Sequence, residues 1–338
     1  MMHKHCAIVA LSDLEVADFF PGRLWGELEE LLPGYHRIRP SLAGPEDWAR
    51  LWHESSADIL ISAWRTPSLN STLQPSDLKP LRYVCHLAGS VRNLIPRELI
   101  EQGLLVTNWG GSISPTVAEC ALLLILMALR RASYWAVAMH RDGVWKDANT
   151  YTESFLDRRV GIHGLGSISQ CLIPMLRPFT SRIQAYSLSV PDAVFSSLGV
   201  HRLASLEELF TESDVVVELA AATPENYHIV TEKHLRMIPD GGVFVNVGRG
   251  CVVDGDGLLH VALEGRLQIA LDVFEREPLP ADSPLRGLPN VTLLPHIAGP
   301  TRDRQRDSGA LALRNLRAFL RGEPLEAVVT LEVFDRST

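Results

Sequence analysis

An arginine, a glutamate and a histidine, each placed directly after an apolar β-like run, are the residues of this 338-residue chain best suited to chemistry. Arg249 follows Val243–Val247 in Asn246-Val247-Gly248-Arg249-Gly250. Glu277 follows Gln268–Val273 in Asp272-Val273-Phe274-Glu275-Arg276-Glu277-Pro278. His296 follows Val291–Leu294 in Leu294-Pro295-His296-Ile297-Ala298-Gly299. Ligands of open α/β sheets sit beyond the carboxyl ends of the strands, so all three are expected along one edge of one sheet. Such a set suits hydride chemistry at a 2-hydroxy or 2-oxo acid. The arginine's planar fork can hold a carboxylate and polarise the C2 oxygen. A histidine ordinarily changes charge near neutrality, so it can take the hydroxyl proton in oxidation and return it in reduction. A glutamate on the other ring nitrogen would fix the tautomer and favour the imidazolium. Taken singly, each residue has a plainer reading: a helix cap, a solvated loop, one of twelve histidines. Their convergence on one predicted edge is what favours function.

The same edge should carry the turn Gly164-Leu165-Gly166-Ser167-Ile168-Ser169, which follows the run Arg159–His163 and opens a helical stretch. Two glycines at this spacing permit a tight turn and close backbone approach to a pyrophosphate, and the helix N-terminus offers N–H donors and a favourable dipole. Three features depart from the usual pattern. Ser169 stands where a third glycine would ease helix–strand packing. Pro174 lies inside the helix and should kink it. The next strand ends in Ala185-Tyr186-Ser187, without the carboxylate that accepts from ribose hydroxyls, and no arginine follows at once to hold a 2′-phosphate. NAD is therefore not favoured over NADP. A turn that binds nothing remains the alternative reading, and His163 reads as a buried strand residue.

The elements that must position these groups form two series. In the first, β-rich runs fall at Cys6–Leu11, Asp58–Ser62, Leu81–Leu87 and Leu104–Thr107, with amphipathic stretches such as Leu24–Leu32 between them. A long helix starts at Ser114-Pro115, a serine cap followed by proline, and is expected to run to about Trp145. In the second series, strands fall at Arg159–His163, Arg182–Ser187, Asp214–Ala220, Val243–Val247, Gln268–Val273 and Val291–Leu294. Helical stretches at Ser205–Phe210, Glu232–Ile238 and Gly257–Glu264 separate them, and Thr301–Leu320 reads as a last helix. Apolar strands alternating with helices imply parallel sheets covered on both faces, an α/β fold. A net charge of −8 argues against a broad nucleic-acid surface. The longest apolar run, Ala121–Leu129, is short for a bilayer span, and the N-terminus reads as a strand rather than a signal peptide. Five widely spaced cysteines in no CxxC or Cys/His cluster suggest buried free thiols in a reducing cytoplasm, and no metal site.

Gly164–Gly166, Thr223-Pro224, Asn246–Gly250, Ala270–Phe274 through Glu277-Pro278, and Pro289–Val291 through Pro295–Gly299 together resemble the D-isomer-specific 2-hydroxyacid dehydrogenases, a family that includes D-3-phosphoglycerate dehydrogenase and the glyoxylate/hydroxypyruvate reductases. The resemblance covers nearly the whole chain. It implies a Rossmann-type doubly wound domain, residues 113–297, inserted into a smaller flavodoxin-like α/β substrate domain, residues 1–112 and 298–338, with the substrate in the cleft between them. It implies an NAD- or NADP-dependent enzyme acting on a small 2-oxo or 2-hydroxy acid, with Arg249 orienting the substrate, His296 as acid/base and Glu277 as its partner. Cofactor contacts are implied for Gly164, Leu165, Gly166, Ser167, Ile168, Ser187, Ala221, Thr223, Pro224, Val247, Gly248, Asp272 and Gly299. Substrate contacts are implied for the loop bearing Ala88, Gly89, Ser90 and Arg92, where Arg92 would favour a second anionic group. Trp109 would wall the pocket or simply pack. A homodimer through residues 114–145 is implied too. An NAD(H)-binding regulatory protein or a degenerate, non-catalytic relative of the same fold is the alternative.

Overall fold

The computed structural model describes residues 5–40, 42–69, 73, 78–148 and 150–336. The chain divides into two compact units, Met1–Ile113 with Thr301–Thr338, and Ser114–Pro300. The second interrupts the first in sequence, and each is built on a parallel sheet.

In the first unit β1 (Ala7–Ala10), β2 (His36–Ile38), β3 (Ile59–Ser62), β4 (Tyr83–His86) and β5 (Leu105–Thr107) lie in the order β2-β1-β3-β4-β5, all parallel. This is the flavodoxin-like order. Successive residues of each strand enter opposite cores. Ile8, Leu60 and Val84 pack with Trp48 and Trp52 on one face, whereas Val9, Ile61 and Tyr83 pack with Phe19, Leu28 and Leu316 on the other. Both faces are dry, so the strands read as continuous apolar runs rather than as alternations. β2 escaped sequence reading because it is a three-residue edge strand with two residues exposed.

In the second unit β6 (Val160–His163), β7 (Ile183–Tyr186), β8 (His201–Arg202), β9 (Val215–Glu218), β10 (Val243–Asn246), β11 (Gln268–Leu271) and β12 (Val291–Leu293) form a seven-stranded parallel sheet. The order is β12-β11-β10-β9-β6-β7-β8, the doubly wound Rossmann arrangement with one added strand. Strand order reverses between β6 and β9, which puts the switch point, where such sheets take their ligands, at the carboxyl ends of those two strands. One core lies under Val216, Phe244 and Ile269 with Phe210 and Val261. β8, two exposed residues, carries no apolar run and was not foreseen.

The long helix expected from Ser114 to about Trp145 is two helices, Ser114–Arg130 and Ala132–Asp142. Arg131 breaks it by adopting a left-handed φ of 50°. Its guanidinium lies over the rings of Tyr134 and Tyr151, at 4.9 and 4.7 Å, contacts that help hold a conformation otherwise disfavoured for a side chain with a Cβ. The second helix stops at Gly143, also left-handed, so Trp145 lies beyond it. The helical stretch Gly110–Arg130 is long and apolar enough to cross a bilayer by length and composition alone, but half of it is buried in the protein. Its segment Ser114–Arg130 packs on β10, β11 and β12, and this burial accounts for its apolar character. Pro174 does not break its helix: it is the eighth of ten residues in Ser167–Leu176, where only the last turn follows it. Of the five cysteines, none in a disulfide, only Cys85 is buried; Cys6, Cys120, Cys171 and Cys251 are partly accessible, which corrects the expectation of buried thiols.

Candidate active site

His296 and Glu277 meet. The carboxylate Oε2 of Glu277 lies 2.6 Å from His296 Nδ1. A carboxylate only accepts, so the proton on this nitrogen belongs to the imidazole, and Nε2 is left facing other chemistry. Glu277 is itself held, since its Oε1 accepts the Phe274 N–H at 2.9 Å. The two side chains remain about half and one-third exposed. They border a cavity of about 550 Å³ that Phe274, Pro278, Leu293 and Leu294 also line.

The histidine's backbone is pinned from β11. His296 N–H donates to the Asp272 carbonyl at 2.9 Å, and the two Asp272 carboxylate oxygens accept the Ile297 and Ala298 N–H groups at 2.8 and 2.9 Å. These bonds support the left-handed φ of 55° at His296. Asp272, expected beside the cofactor, is thus a buried positioning group whose two oxygens hold the histidine's loop.

Arg249 leaves β10 through a turn organised by Asn246, which is buried. Asn246 Oδ1 accepts the Gly248 N–H at 3.0 Å, and its Nδ2 donates to the Arg249 carbonyl at 3.2 Å. Arg249 Nη1 donates to the Gly248 carbonyl at 2.8 Å. Loss of water around the guanidinium lowers the Arg249 pKa, while the charges of Cys251 and Glu277 oppose that shift. The residue is nevertheless exposed, so water keeps access to part of the side chain. Arginine stays charged in any case. The interaction with Glu277 puts Arg249 within electrostatic reach of the His296–Glu277 pair. The turn and the next loop touch at Gly250, where a Cβ would stand 1.9 Å from the Phe274 carbonyl carbon. Gly250→Ala is therefore expected to cost about 1–3 kcal/mol by forcing the loops of Arg249 and Glu277 apart. The check is a lower Tm together with lost turnover; an unchanged Tm would show that the backbone yields freely.

The glycine turn lies at the switch point and fits a dinucleotide. Gly164 has φ 86°, and a Cβ there would fall 2.9 Å from the Ala220 backbone, so the turn and the loop after β9 approach as closely as glycine allows. Gly166 caps the helix Ser167–Leu176 without any side-chain bond to its first amides, and a Cβ on Gly166 would meet only open space. A helix start whose N-cap carries no side chain and has open space beside it is what close approach of a pyrophosphate requires. Ser169, the departure from the glycine pattern, is fully buried and donates from Oγ to the Gly164 carbonyl at 2.7 Å, so it braces the turn. Leu165 is buried, which leaves its backbone as the part that can face a ligand. Ser167 Oγ accepts from Ser114 Oγ at 2.9 Å, and Ile168 is half-buried on the same first turn. Thr223 caps the short turn Pro224–Asn226, Ala221 is exposed beside it, and Val247 and Gly248 are buried. A Cβ on Gly248 would lie 3.1 Å from the Glu218 carbonyl, and one on Gly299 would lie 2.7 Å from Thr116 Oγ1.

Sequence reading missed the pair that fixes this edge from beneath. His163, at the end of β6, bonds through Nδ1 to Glu218 Oε2 of β9 at 2.6 Å, and Glu218 Oε1 accepts the Ala220 N–H at 2.8 Å. Both residues are buried. Each looks like an ordinary strand residue until β6 and β9 are known to be neighbours, with His163 opposite Glu218.

Ser187, predicted beside the ribose, is buried just past β7, and the predicted substrate residues lie in the first unit, on the loop after β4. The Ala88 carbonyl accepts the Trp109 N–H at 3.1 Å, and the Gly89 carbonyl accepts from Asn108 Nδ2 at 2.8 Å. Trp109 packs on Gly89, where a Cβ would come within 2.7 Å of the indole, and Trp64 stands edge-on to Trp109 at 5.8 Å. Ser90 Oγ accepts the Arg92 N–H at 3.4 Å, and Arg92 is exposed.

Fold and site define a nicotinamide-dependent oxidoreductase of the doubly wound class, and comparison with known proteins makes this specific. Residues 122–298 match the profile described as D-isomer specific 2-hydroxyacid dehydrogenase, NAD binding domain. The chain is 35% identical over 258 residues to a glyoxylate reductase of Korarchaeum cryptofilum, covering 75% of this chain and 77% of that one. It is 37% identical over 228 residues to a hydroxyphenylpyruvate reductase of Plectranthus scutellarioides, covering 67% and 71%. Among solved structures, a glyoxylate reductase from Paecilomyes thermophila superposes with a TM-score of 0.77 at 26% identity, over 97% of this chain and 99% of that one. The chain belongs to the D-isomer specific 2-hydroxyacid dehydrogenase family. It is an NAD(P)-dependent oxidoreductase acting on 2-hydroxy and 2-oxo acids.

Proposed function

We propose that this enzyme reduces a small 2-oxo acid to its D-2-hydroxy acid, with His296 as the proton donor, Glu277 as its partner and Arg249 as the group that holds the substrate. One observation carries the reading: the Glu277 carboxylate, on a loop that touches the Arg249 turn at Gly250, bonds His296 Nδ1. The bond orients Nε2, the nitrogen from which a proton would pass to the C2 oxygen. Arg249 opposes the negative charge that develops on that oxygen, and its partial desolvation strengthens the attraction. When bound, the dinucleotide supplies the hydride in reduction and accepts it in oxidation. The Gly164–Ile168 turn would hold its pyrophosphate, with Ala221, Thr223, Pro224, Val247, Gly248 and Gly299 along the same edge and Asp272 keeping the His296 loop in place.

The exposed Val137, Met139, Val144 and Trp145 support a homodimer formed through the Ala132–Asp142 helix and the segment after it. Cysteines outside any disulfide support a cytoplasmic, reducing setting. The test of function is a panel of 2-oxo acids, glyoxylate, hydroxypyruvate and hydroxyphenylpyruvate among them, assayed with NADH and with NADPH. Oxidation of either cofactor with formation of the D-hydroxy acid is the expected result. Tight cofactor binding with no turnover across the panel would favour a regulatory binding protein instead.

A further inference from the structure

We propose that the enzyme prefers NADPH to NADH and that Arg202 recognises the 2′-phosphate; this rests on the dehydrogenase reading above. The position that would carry a ribose-binding carboxylate is Ser187, just past β7, so no acid there repels a phosphate. The strand beyond it in the sheet, not the one before it in sequence, supplies the cation. β8 pairs with β7 so that Arg202 lies opposite Ala185, two residues before Ser187. Its guanidinium donates through Nη2 to the Ser187 carbonyl at 3.4 Å and packs over the Phe195 ring at 5.0 Å. Stacking and that bond orient the fork towards the end of β7. The side chain is 39% exposed and borders an open cavity of about 580 Å³ with Phe195, His201 and Ala204.

Among the described residues, the acidic groups Glu208 and Asp192 lie nearby. Glu208 is engaged with the Ala204 N–H, and Asp192 pairs with Arg202 Nη1. The Asp192 side chain is 81% exposed, so a dianionic phosphate can displace it at little cost, with the bidentate geometry that a guanidinium favours.

Equilibrium dissociation constants measured by tryptophan quenching test the proposal without reliance on turnover. The unsubstituted enzyme should bind NADPH at least about 10-fold tighter than NADH, and adenosine 2′,5′-bisphosphate tighter than AMP by a similar factor. Arg202→Gln should weaken NADPH by about 10- to 100-fold and leave NADH unchanged. Asp192→Asn should preserve or sharpen the preference, which keeps the test open if the arginine variant folds poorly. Tighter binding of NADH by the unsubstituted enzyme, or equal weakening of both cofactors by Arg202→Gln, would overturn the assignment. So would a selective loss of NADH in Asp192→Asn, which would make Asp192 the ribose acid. Failure to bind either cofactor would sink the dehydrogenase reading along with it, an outcome distinct from a reversed preference.

Discussion

The His296→Ala enzyme is expected to turn over about 10²- to 10⁴-fold more slowly, with the dissociation constants of NADH and NADPH unchanged. That range corresponds to about 3–5.5 kcal/mol of lost transition-state stabilisation. The expectation follows from position. The imidazole stands on a loop fixed by Asp272, its Nδ1 is committed to Glu277, and the glycine turn offered to a dinucleotide lies after β6, on a different strand. Because His296 has a positive φ, alanine there also strains the backbone. Asparagine tolerates the left-handed region better, so His296→Asn separates chemistry from folding. If both variants lose cofactor binding in parallel with turnover, the histidine is structural and the proposed mechanism fails. Glu277→Gln adds a finer reading. It keeps the shape and a partner for Nδ1 but replaces a carboxylate oxygen with an amide, so turnover should fall less than in His296→Ala with KM nearly constant. A larger fall than that of His296→Ala would point to Glu277 itself contacting substrate.

Arg249→Gln is expected to lower kcat/KM for a 2-oxo acid by about 10²- to 10³-fold, through both a raised KM and a reduced kcat. Two effects combine. A carboxylate loses a charged fork that water only partly screens, and the C2 oxygen loses the positive charge that offsets its developing negative charge. Arg249→Lys should recover only a small part, because an ammonium cannot reproduce two parallel N–H bonds. The turn itself should survive, since Asn246 rather than the arginine side chain makes the bonds that close it. A change in cofactor affinity with kcat/KM for the acid otherwise intact would remove Arg249 from the substrate's side of the mechanism.

The strands that carry the site were legible because parallel strands buried on both faces leave unbroken apolar runs, and turns beyond them hold glycine and polar residues. β6, β10, β11 and β12 were found within a few residues in this way, together with Arg249, Glu277 and His296 just past three of them. What carried no local signal was what depends on neighbours across the sheet. β2 and β8 are short exposed edge strands, visible only once a pairing partner exists. Residue type was also a poor guide where tertiary context assigns a different task. Ser169 weakens the glycine pattern on paper, yet its hydroxyl braces Gly164. The break at Arg131 is a further case, since good helix formers on both sides give no warning of a left-handed residue between them.

Sequence alone determined the α/β class and placed Arg249, Glu277 and His296 just past three parallel strands, because apolar periodicity and chain order are local properties. Tertiary structure decided the partnerships: Glu277 with His296, Asp272 with the loop amides, His163 with Glu218, and Arg202 beside Ser187. These join residues 15 to 55 positions apart, and hydrogen-bond geometry over such separations is set by strand order and register, which no short stretch of residues encodes.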